Sequence, residues 1–385
     1  MKVYIEPNYT EPDKADGGIR RVVDAMRKHL PSFGIEVVDS PNEADLINCH
    51  AMSFVDAPDK PLVHSNHGMY WEELNWPDAF RYYNQEIAEI MVRANAITCP
   101  SNWVKMALDR GMLKEKYTVY HGVDADDWKH SYNNLGYILW NKARADVVSN
   151  PGDMQRLAAM MPDTPFVSTL GSVAQNVQIT GTVPYEEMKR MIQQAGLYLA
   201  TARETFGIGT LEALAAGVPV VGWNWGGQQE IIKHGVTGLL AEPGNYDELA
   251  EYIELALDNR DFYSKNAVED VLERWQWKDK IQQYAQIFHS TYRNYYNVLD
   301  DREPPYPTVS IIVTCHNLEK YLPDCLNSVM QQDYDDWECL IIDDASTDNS
   351  YKVARQFIKQ DDRFNCLSLS ENVGLSQPIV TGKQN

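Results

Sequence analysis

The chain has 385 residues, which exceeds one compact domain and predicts two or three. Apolar residues make up 44% of it, enough for sizeable cores, so an intrinsically disordered protein is excluded. Asp and Glu number 55 against 34 Lys and Arg, for a formal net charge of −21. Because such a surface repels phosphate backbones, no nucleic-acid partner is expected.

The first residues have the pattern of a strand. They are too short and acquire charge too early to be a signal peptide. The most apolar long stretch, residues 208–225, contains Glu212 and Pro219, so no membrane span is expected. The six cysteines show no CxxC spacing, and four of them fall in apolar, strand-like runs. We therefore expect reduced thiols in a cytoplasmic protein, with no disulfide framework and no zinc site.

The first 130 residues alternate short apolar runs with helical patterns. Helices are predicted at residues 18–30 and 79–94, and Ser101 has the character of an N-cap for a third helix. The predicted strands lie at residues 3–5, 35–38, 46–49, 62–64, 96–99 and 117–120. Strands that alternate with helices indicate a parallel sheet covered on both faces.

The same alternation restarts in the second part of the chain. Its predicted strands lie at residues 137–140, 166–168, 177–179, 197–199 and 218–221. The fold class is therefore α/β, with two Rossmann-like, doubly wound domains at residues 1–130 and 131–275 and a boundary near 125–135. Ligands of such sheets bind at the carboxyl ends of the strands, which here means the cleft between the two domains.

A third segment follows an acidic, proline-rich linker at residues 300–308. Its first strand is predicted at residues 309–313, and a helix with an apolar face comes next. A second strand at residues 339–342 ends in Asp343 and Asp344. This new strand–helix–strand unit predicts a separate module from residue 309 to residue 385.

The most informative motif runs from residue 202 to residue 222. It places Glu204 in a glycine-containing loop and Glu212 in the helix that follows, eight positions later. Gly207 and Gly209 allow a ligand to approach the backbone closely, and the first turn of the helix offers unpaired N–H groups to an anion. Glu212 can accept hydrogen bonds from a vicinal diol such as ribose. The alternative is that both carboxylates only complement the helix dipole.

Glu204 and Glu212 match the Glu-seven-Glu motif of the family 4 retaining glycosyltransferases, and the similarity continues from Gly226-Gly227 to Gly244. This part of the chain therefore resembles that family, which has the GT-B fold. The resemblance implies a nucleotide-diphosphate sugar as donor, bound mainly by residues 131–275, and an acceptor that enters from the first domain. It also implies that a closing helix, at residues 276–299, returns to the first domain.

The resemblance further implies the site residues. Glu204 would face the sugar, Glu212 the ribose, and His67 the sugar from the first domain. Lys142 and Arg144 would neutralise the diphosphate without a metal, and the remaining donor-binding positions would be Gly17, Gly18, Thr205, Phe206, Gly207, Ile208 and Gly209. The alternatives without a role in binding or catalysis are a solvated basic pair at residues 142 and 144, a glycine turn at residues 17 and 18, and a histidine at residue 67 that caps a turn.

Residues 309–385 resemble the opening of a family 2 glycosyltransferase module with the GT-A fold, in which Asp343 and Asp344 would hold the nucleoside. The metal-binding Asp-x-Asp of that family and its catalytic base would come after residue 385, and residues 376–382 depart from the family pattern. We read the module as truncated and catalytically incompetent in this chain, or as a structural appendage. A divalent metal is expected only for a complete GT-A module.

The leading hypothesis is a bifunctional, retaining glycosyltransferase that acts in the synthesis of a surface polysaccharide or a glycoprotein glycan. Its partners would be a UDP-, GDP- or ADP-linked sugar and a glycan or other hydroxyl acceptor, with no cofactor in the GT-B part. Two alternatives stay open: a sugar-nucleotide epimerase on the same fold, and a non-catalytic nucleotide-sugar-binding module.

Overall fold

The structure is a computed structural model that describes residues 1–9, 11, 17–69, 78–128, 134–144, 146, 148–296, 309–334, 337–361 and 363–369. The chain forms two compact units, Met1–Val298 and Leu299–Asn385. The predicted domain boundary between residues 130 and 131, the linker at residues 300–308 and the segment 376–382 lie outside the described residues. None of the helices in the described ranges combines the length and apolar character that a membrane crossing requires.

The first part of unit one is a six-stranded parallel sheet in the order β2-β1-β3-β4-β5-β6. Its described strands are β1 (Lys2–Glu6), β2 (Glu36–Val38), β3 (Leu46–His50), β4 (Leu62–Ser65), β5 (Ala96–Cys99) and β6 (Lys116–Thr118). The described helices of this part are α1 (Gly18–His29), α2 (Asp78–Arg93) and α3 (Asn102–Asp109). Ser101 caps α3 as predicted, because its Oγ accepts the N–H of Val104 at 3.2 Å.

The second part is another six-stranded parallel sheet, in the order β12-β11-β10-β7-β8-β9. Its described strands are β7 (Ile138–Trp140), β8 (Phe166–Ser168), β9 (Val177–Ile179), β10 (Leu197–Ala200), β11 (Val220–Trp223) and β12 (Leu239–Ala241). The helices described here are α4 (Gly152–Met160), α5 (Tyr185–Gln194), α6 (Ile208–Ala215), α7 (Gln228–Ile231), α8 (Tyr246–Asp258) and α9 (Arg260–Arg274). The two sheets confirm the predicted doubly wound arrangement.

A helix that follows the second sheet packs on the first. This helix, α10 (Trp277–Tyr296), buries Ile281, Tyr284 and Phe288 against the core that contains Val3 and Ile5 of β1. The chain thus passes between the two sheets twice, and backbone hydrogen bonds join the two connecting segments. The N–H of Val123 donates to the carbonyl of Trp275 at 2.8 Å, and the N–H of Trp277 donates to the carbonyl of Val123 at 3.3 Å.

Two predicted strands of unit one are shifted along the sequence. The strand expected at residues 117–120 lies at residues 116–118, and the one expected at 218–221 lies at 220–223. In the second case Pro219 comes before the strand, because proline has no N–H to donate to a sheet ladder. The sequence pattern also missed the short strand β12, whose three buried residues are too few to show a period.

Unit two is a smaller parallel α/β layer. Its described strands and helices are β13 (Val309–Cys315), α11 (Leu322–Met330), β14 (Trp337–Asp343), α12 (Ser350–Gln360) and β15 (Phe364–Ser368), with the strand order β13-β14-β15. Trp337, Ile341 and Phe364 lie in its core. The strand β15 was not predicted, whereas the strand–helix–strand opening was.

The contact between β10 and β11 generates a stability prediction. In the register of these strands Gly222 lies beside Ala200, and a Cβ at Gly222 would overlap the Ala200 carbonyl oxygen and lie 2.8 Å from the Ala200 Cβ. Because backbone atoms cannot yield cheaply, Gly222→Ala should lower the free energy of unfolding by about 2 kcal/mol, measured by urea denaturation. Gly111→Ala is the control, since no atom of the residues that the structure describes lies within 4 Å of a Cβ there. Equal stability of the two variants would contradict this packing.

Candidate active site

An ion pair lies where β7 and β10 end. Lys142, two residues after β7, donates from Nζ to Oε1 of Glu204 at 2.8 Å. The side chains are 12% and 30% exposed, respectively, so the pair is largely shielded from solvent. Burial alone would lower the pKa of Lys142 and raise that of Glu204, but the opposite charge outweighs burial in both cases. Both groups are therefore ionised.

Two buried polar atoms accompany this pair. The hydroxyl of Tyr198 lies beside the Lys142 ammonium, and Oδ1 of Asn141 has no hydrogen-bond partner among the described residues. Gly209 completes the group, since a Cβ at this position would lie 2.6 Å from the Tyr198 oxygen. Glycine is required there because any side chain would displace the tyrosine. A buried polar atom without a partner calls for an explanation, such as a catalytic role or a bound water or ion.

The loop that carries Glu204 leads directly into α6. Gly207 adopts φ 108°, which a residue with a side chain rarely does, and α6 begins at the next residue. The first N–H groups of α6 are thereby brought close to Glu204. Gly226 and Gly227 press on this loop, since a Cβ on either would overlap the carbonyl oxygen of Glu204 or Thr205. The glycine pair of the sequence motif thus has a steric cause.

The first domain touches the same loop. Thr205 donates from Oγ1 to the carbonyl of His67 at 2.7 Å, and its own carbonyl accepts the hydroxyl of Ser101 at 2.7 Å. A Cβ at Gly18 would lie 3.4 Å from Cδ1 of Ile208, so the glycine turn before α1 faces the first turn of α6. His67, Gly18, Thr205 and Ile208 are therefore brought together, as the resemblance implies.

Glu212 is held differently from Glu204. Its carboxylate is buried, accepts the hydroxyl of Tyr185 at 3.1 Å and lies 4.0 Å from Nε of Arg21 on α1. The guanidinium of Arg21 also stacks on the Tyr185 ring, 3.4 Å from its centroid. Burial raises the pKa of Glu212 to about 7, although Arg21 and Tyr185 oppose it. The sequence reasoning missed both of these partners.

Three other predicted residues lie at the edge of this group or apart from it. Arg144 has a side chain that is 60% exposed and bonds to Asp146 at 2.9 Å, although its charge helps to lower the pKa of Glu204. Gly17 caps α1 with φ 80°, and no atom of the described residues lies within 4 Å of a Cβ built there. Phe206 is buried against the rings of His121 and Trp275 and therefore serves packing.

Glu230 is a second contact between the domains that the sequence did not predict. It accepts the backbone N–H groups of Asn102 and Trp103, at 3.0 and 2.8 Å, and the hydroxyl of Tyr120 at 2.8 Å. A carboxylate from the second sheet thus caps α3 of the first, where the helix dipole favours a negative charge. Glu230 belongs to the downstream motif, but no local pattern indicates a partner 128 positions away.

In unit two, Asp343 and Asp344 are both buried. Asp343 accepts hydrogen bonds from the hydroxyl of Ser368 at 3.1 Å and from the thiol of Cys315 at 3.7 Å. The backbone carbonyl of Asp344 lies 2.6 Å from Nδ1 of His316. The two carboxylates therefore lie where β14 ends, which is the strand end expected to hold a ligand in a parallel sheet.

The sequence families that match agree with this geometry. Residues 19–127 match the family described as Glycosyltransferase Family 4, residues 172–270 match Glycosyl transferases group 1, and residues 310–384 match Glycosyl transferase family 2. Glycosyltransferase family models therefore match both parts of the first unit, whose two parallel-sheet α/β domains resemble those of GT-B glycosyltransferases, and a family 2 glycosyltransferase model matches the second unit.

Individual relatives align over parts of the chain. An uncharacterized glycosyltransferase of Methanocaldococcus jannaschii is 33% identical over 120 residues, which are 30% of this chain and 31% of that protein. The putative teichuronic acid biosynthesis glycosyltransferase TuaG of Bacillus subtilis is 38% identical over 68 residues, 18% of this chain and 27% of that protein. The chain thus spans about a third or less of the length of these relatives.

Solved structures share the fold over most of unit one. Sucrose-phosphate synthase of Thermosynechococcus elongatus superposes with a TM-score of 0.62 at 15% identity, over 76% of this chain and 99% of that one. HepE of Anabaena, in complex with UDP-glucose, superposes with a TM-score of 0.58 at 19% identity, over 75% of this chain and 100% of that one. At such identities the likeness concerns the fold.

The raised pKa of Glu212 generates a pH prediction. Between its ordinary value of 4.5 and about 7, the folded protein keeps a proton on Glu212 that the unfolded chain has released, so this residue makes the protein less stable as pH rises. The amide of the Glu212→Gln variant does not titrate, so its stability lacks this pH dependence. The free energy of unfolding of the variant, relative to wild type, should therefore increase by about 3 kcal/mol between pH 4.5 and pH 7.5.

Urea denaturation at several pH values measures this difference. Glu187→Gln on α5 is the matched control, because that side chain is exposed to solvent and its replacement should have the same small effect at every pH. If the difference between Glu212→Gln and wild type stayed constant with pH, the buried, proton-holding state of Glu212 would be ruled out.

Proposed function

We propose that residues 1–298 transfer a sugar from a nucleotide-diphosphate sugar to a hydroxyl group of an acceptor, with retention of the anomeric configuration. The observation that carries this proposal is the shielded Lys142–Glu204 ion pair beside the amino end of α6. Transfer from such a donor releases a nucleoside diphosphate, and its growing negative charge must be neutralised in the transition state.

Lys142 and the first N–H groups of α6 supply that neutralisation. The ammonium is nearly buried, where an ionic interaction is stronger than in water, and the helix end adds partial positive charge. Arg144 lies on the same strand-to-helix segment and can turn toward a bound diphosphate. Because these groups are cationic, the GT-B part needs no metal. They would act against a chain whose net charge is −21, which makes a local cation cluster selective for the anionic donor.

The nucleoside would bind next to Glu212. The ribose diol donates hydrogen bonds to this carboxylate, and Tyr185 and Arg21 form the wall around it. The fold shared with a UDP-glucose complex supports a nucleotide sugar as ligand. UDP-, GDP- and ADP-linked sugars all satisfy this chemistry. The sugar would then lie between Glu204 and His67, where the two domains meet.

In the retaining reaction the acceptor oxygen attacks the anomeric carbon on the face that the diphosphate leaves. The bond from the anomeric carbon to the phosphate oxygen breaks, the new glycosidic bond forms, and the acceptor proton passes to the departing phosphate oxygen. Closure of the two domains would exclude water and so limit hydrolysis of the donor. The retaining course is what resemblance to the family implies.

Unit two would bind a nucleoside at Asp343 and Asp344, with a divalent metal only in a complete module of its kind. Two transferase modules in one polypeptide would add successive sugars to one glycan, such as a surface polysaccharide or a glycoprotein glycan. In this proposal a protein with two complete modules would be bifunctional, and its acceptor would be a carbohydrate or another hydroxyl compound.

Donor binding is tested by thermal unfolding of the full chain with UDP, GDP, ADP, UDP-glucose, GDP-mannose and ADP-glucose, with and without EDTA. We expect one nucleoside diphosphate and its sugar to raise Tm, with no effect of EDTA. In Lys142→Met the same ligand should bind on the order of 10- to 100-fold more weakly, since a shielded charge contact is lost. Lys265→Met, at an exposed lysine of α9, is the control. Equal binding by Lys142→Met would refute the assignment.

Catalysis is tested with Glu204→Ala and the identified donor. Product formation with a carbohydrate acceptor should fall at least about 100-fold, whereas Glu254→Ala on the exposed face of α8 should retain wild-type rates. Unchanged product formation by Glu204→Ala would indicate a non-catalytic binding module. Incubation with donor alone separates the remaining alternative, because an epimerase would convert the donor into a new nucleotide sugar.

A further inference from the structure

Three histidines form a contact chain at the carboxyl ends of β3 and β4. Nδ1 of His50, the last residue of β3, lies 2.9 Å from Nε2 of His67, and the rings of His67 and His121 stack with their centroids 5.4 Å apart. His50 also contacts Asn48, whose Oδ1 lies 2.9 Å from His50 Nε2. His67 is partly exposed, whereas the other two rings and Asn48 are buried.

The hydrogen bonds of Asn48 fix the orientation of its amide. Its Nδ2 lies 3.0 Å from the carbonyl oxygen of Val63 and 3.0 Å from the hydroxyl of Ser65. A backbone carbonyl only accepts, so the atom facing it must be the NH₂ group. Oδ1 is therefore the atom that faces His50, and since it only accepts, Nε2 of His50 must carry the proton.

This proton determines the tautomer of the next ring. His50 is fully buried next to other histidine rings, and burial lowers its pKa well below the ordinary value, so the ring is neutral. With Nε2 protonated, Nδ1 of His50 is an acceptor. The bond of 2.9 Å then requires a proton on Nε2 of His67. His67 is also neutral, because burial lowers its pKa to about 3, and its Nδ1 is left with a lone pair.

We propose that Asn48 and His50 are positioning residues that hold His67 in the Nε2–H tautomer, so that its Nδ1 accepts a hydrogen bond from a substrate hydroxyl. This inference rests on the proposed function, since it assigns the substrate contact of His67. His67 lies at the contact between the domains: its carbonyl accepts the hydroxyl of Thr205 beside Glu204, and its ring stacks on that of His121, which packs against Phe206 of the second domain. No hydrogen bond within the described residues reaches Nδ1 of His67.

The surroundings of His67 favour a neutral acceptor. The titratable groups that face its ring are His50, His64 and His121, and burial lowers the pKa of each. A neutral ring does not attract the diphosphate away from Lys142. A ring of undefined tautomer, by contrast, would present an N–H donor part of the time, and a hydroxyl could then bind in two orientations.

The tautomers are measured first, without substrate. In full-length protein labelled with ¹⁵N-histidine, two-bond ¹H–¹⁵N correlation spectra distinguish a protonated from an unprotonated ring nitrogen. Signals are assigned by their loss in His67→Gln and His50→Gln. We expect a protonated Nε2 and an unprotonated Nδ1 in both rings. A proton on Nδ1 of His67 or of His50 in the wild-type protein would overturn the proposal.

Two variants of His50 then test the positioning role. His50→Leu removes both ring nitrogens, so His67 should become a mixture of tautomers. The side-chain amide of His50→Gln has a donor and an acceptor on one carbon, as the two ring nitrogens of histidine do. This variant should therefore preserve the single tautomer. The rate measured is the release of nucleoside diphosphate from an equal mixture of UDP-glucose, GDP-mannose and ADP-glucose at low concentration. We expect a fall of about 10-fold in His50→Leu and recovery to within about 3-fold of wild type in His50→Gln.

His64→Leu is the matched control, because His64 is equally buried and also faces His67, but its Nε2 donates to the carbonyl of Ala51 at 2.8 Å rather than to His50 or His67. Thermal unfolding confirms that each variant is folded at the assay temperature. An unchanged rate in His50→Leu, no recovery in His50→Gln, or an equal loss in His64→Leu would each overturn the positioning role. If the wild type released no nucleoside diphosphate, the proposed function would fail for these donors, and the spectra would still decide the tautomer.

Discussion

The loop from Glu204 to Gly209 is held by both domains at once, and the candidate active site depends on this contact. Thr205 lies between the carbonyl of His67 and the hydroxyl of Ser101, both from the first domain. One residue earlier, Glu204 accepts Lys142 from the second domain. Hydrogen bonds have narrow distance and angle ranges, so these bonds also set the start of α6 and the relative position of Glu212.

The electrostatics of the candidate active site contrast with those of the whole chain. The protein carries a formal net charge of −21, yet Lys142 pairs with Glu204 and Arg21 lies 4.0 Å from Glu212, with the exposed Arg144 at the edge of the group. Shielding an ion pair from water is costly, and a pair retained at such a position suggests a role other than stability. In the proposed function, an arriving diphosphate competes with Glu204 for the ammonium, and the carboxylate becomes available to the sugar.

The local sequence predicted those features of the fold and site that depend on neighbours along the chain. Ser101 was recognised as an N-cap from its position before an apolar period, and the structure confirms it. The glycine pair at residues 226 and 227 was recognised as part of a motif, but only the structure shows why both are glycine. Glu230 and Arg21 were missed, because their partners lie in the other domain.

His50 illustrates the same limit. Its position at the end of β3 is visible in the sequence, and the rule that ligands bind at strand ends could have drawn attention to it. Its role depends on Asn48 on the same strand and on His67 after the next one, so it requires the register of β3 and β4. That register follows from the packing of the whole sheet rather than from either segment.

The sequence by itself determined the alternation of strands and helices, the helix that begins after Gly207 and the two glutamates on either side of that start, because these are local matters of periodicity and backbone conformation. The tertiary structure alone decided the partner of each carboxylate: Lys142 for Glu204, Tyr185 and Arg21 for Glu212, and the amino end of α3 for Glu230. The physical reason is that hydrogen bonds and ion pairs act over a few ångströms in space. Residues that are far apart in the sequence become neighbours in space where two domains pack together, so sequence separation does not reveal these contacts.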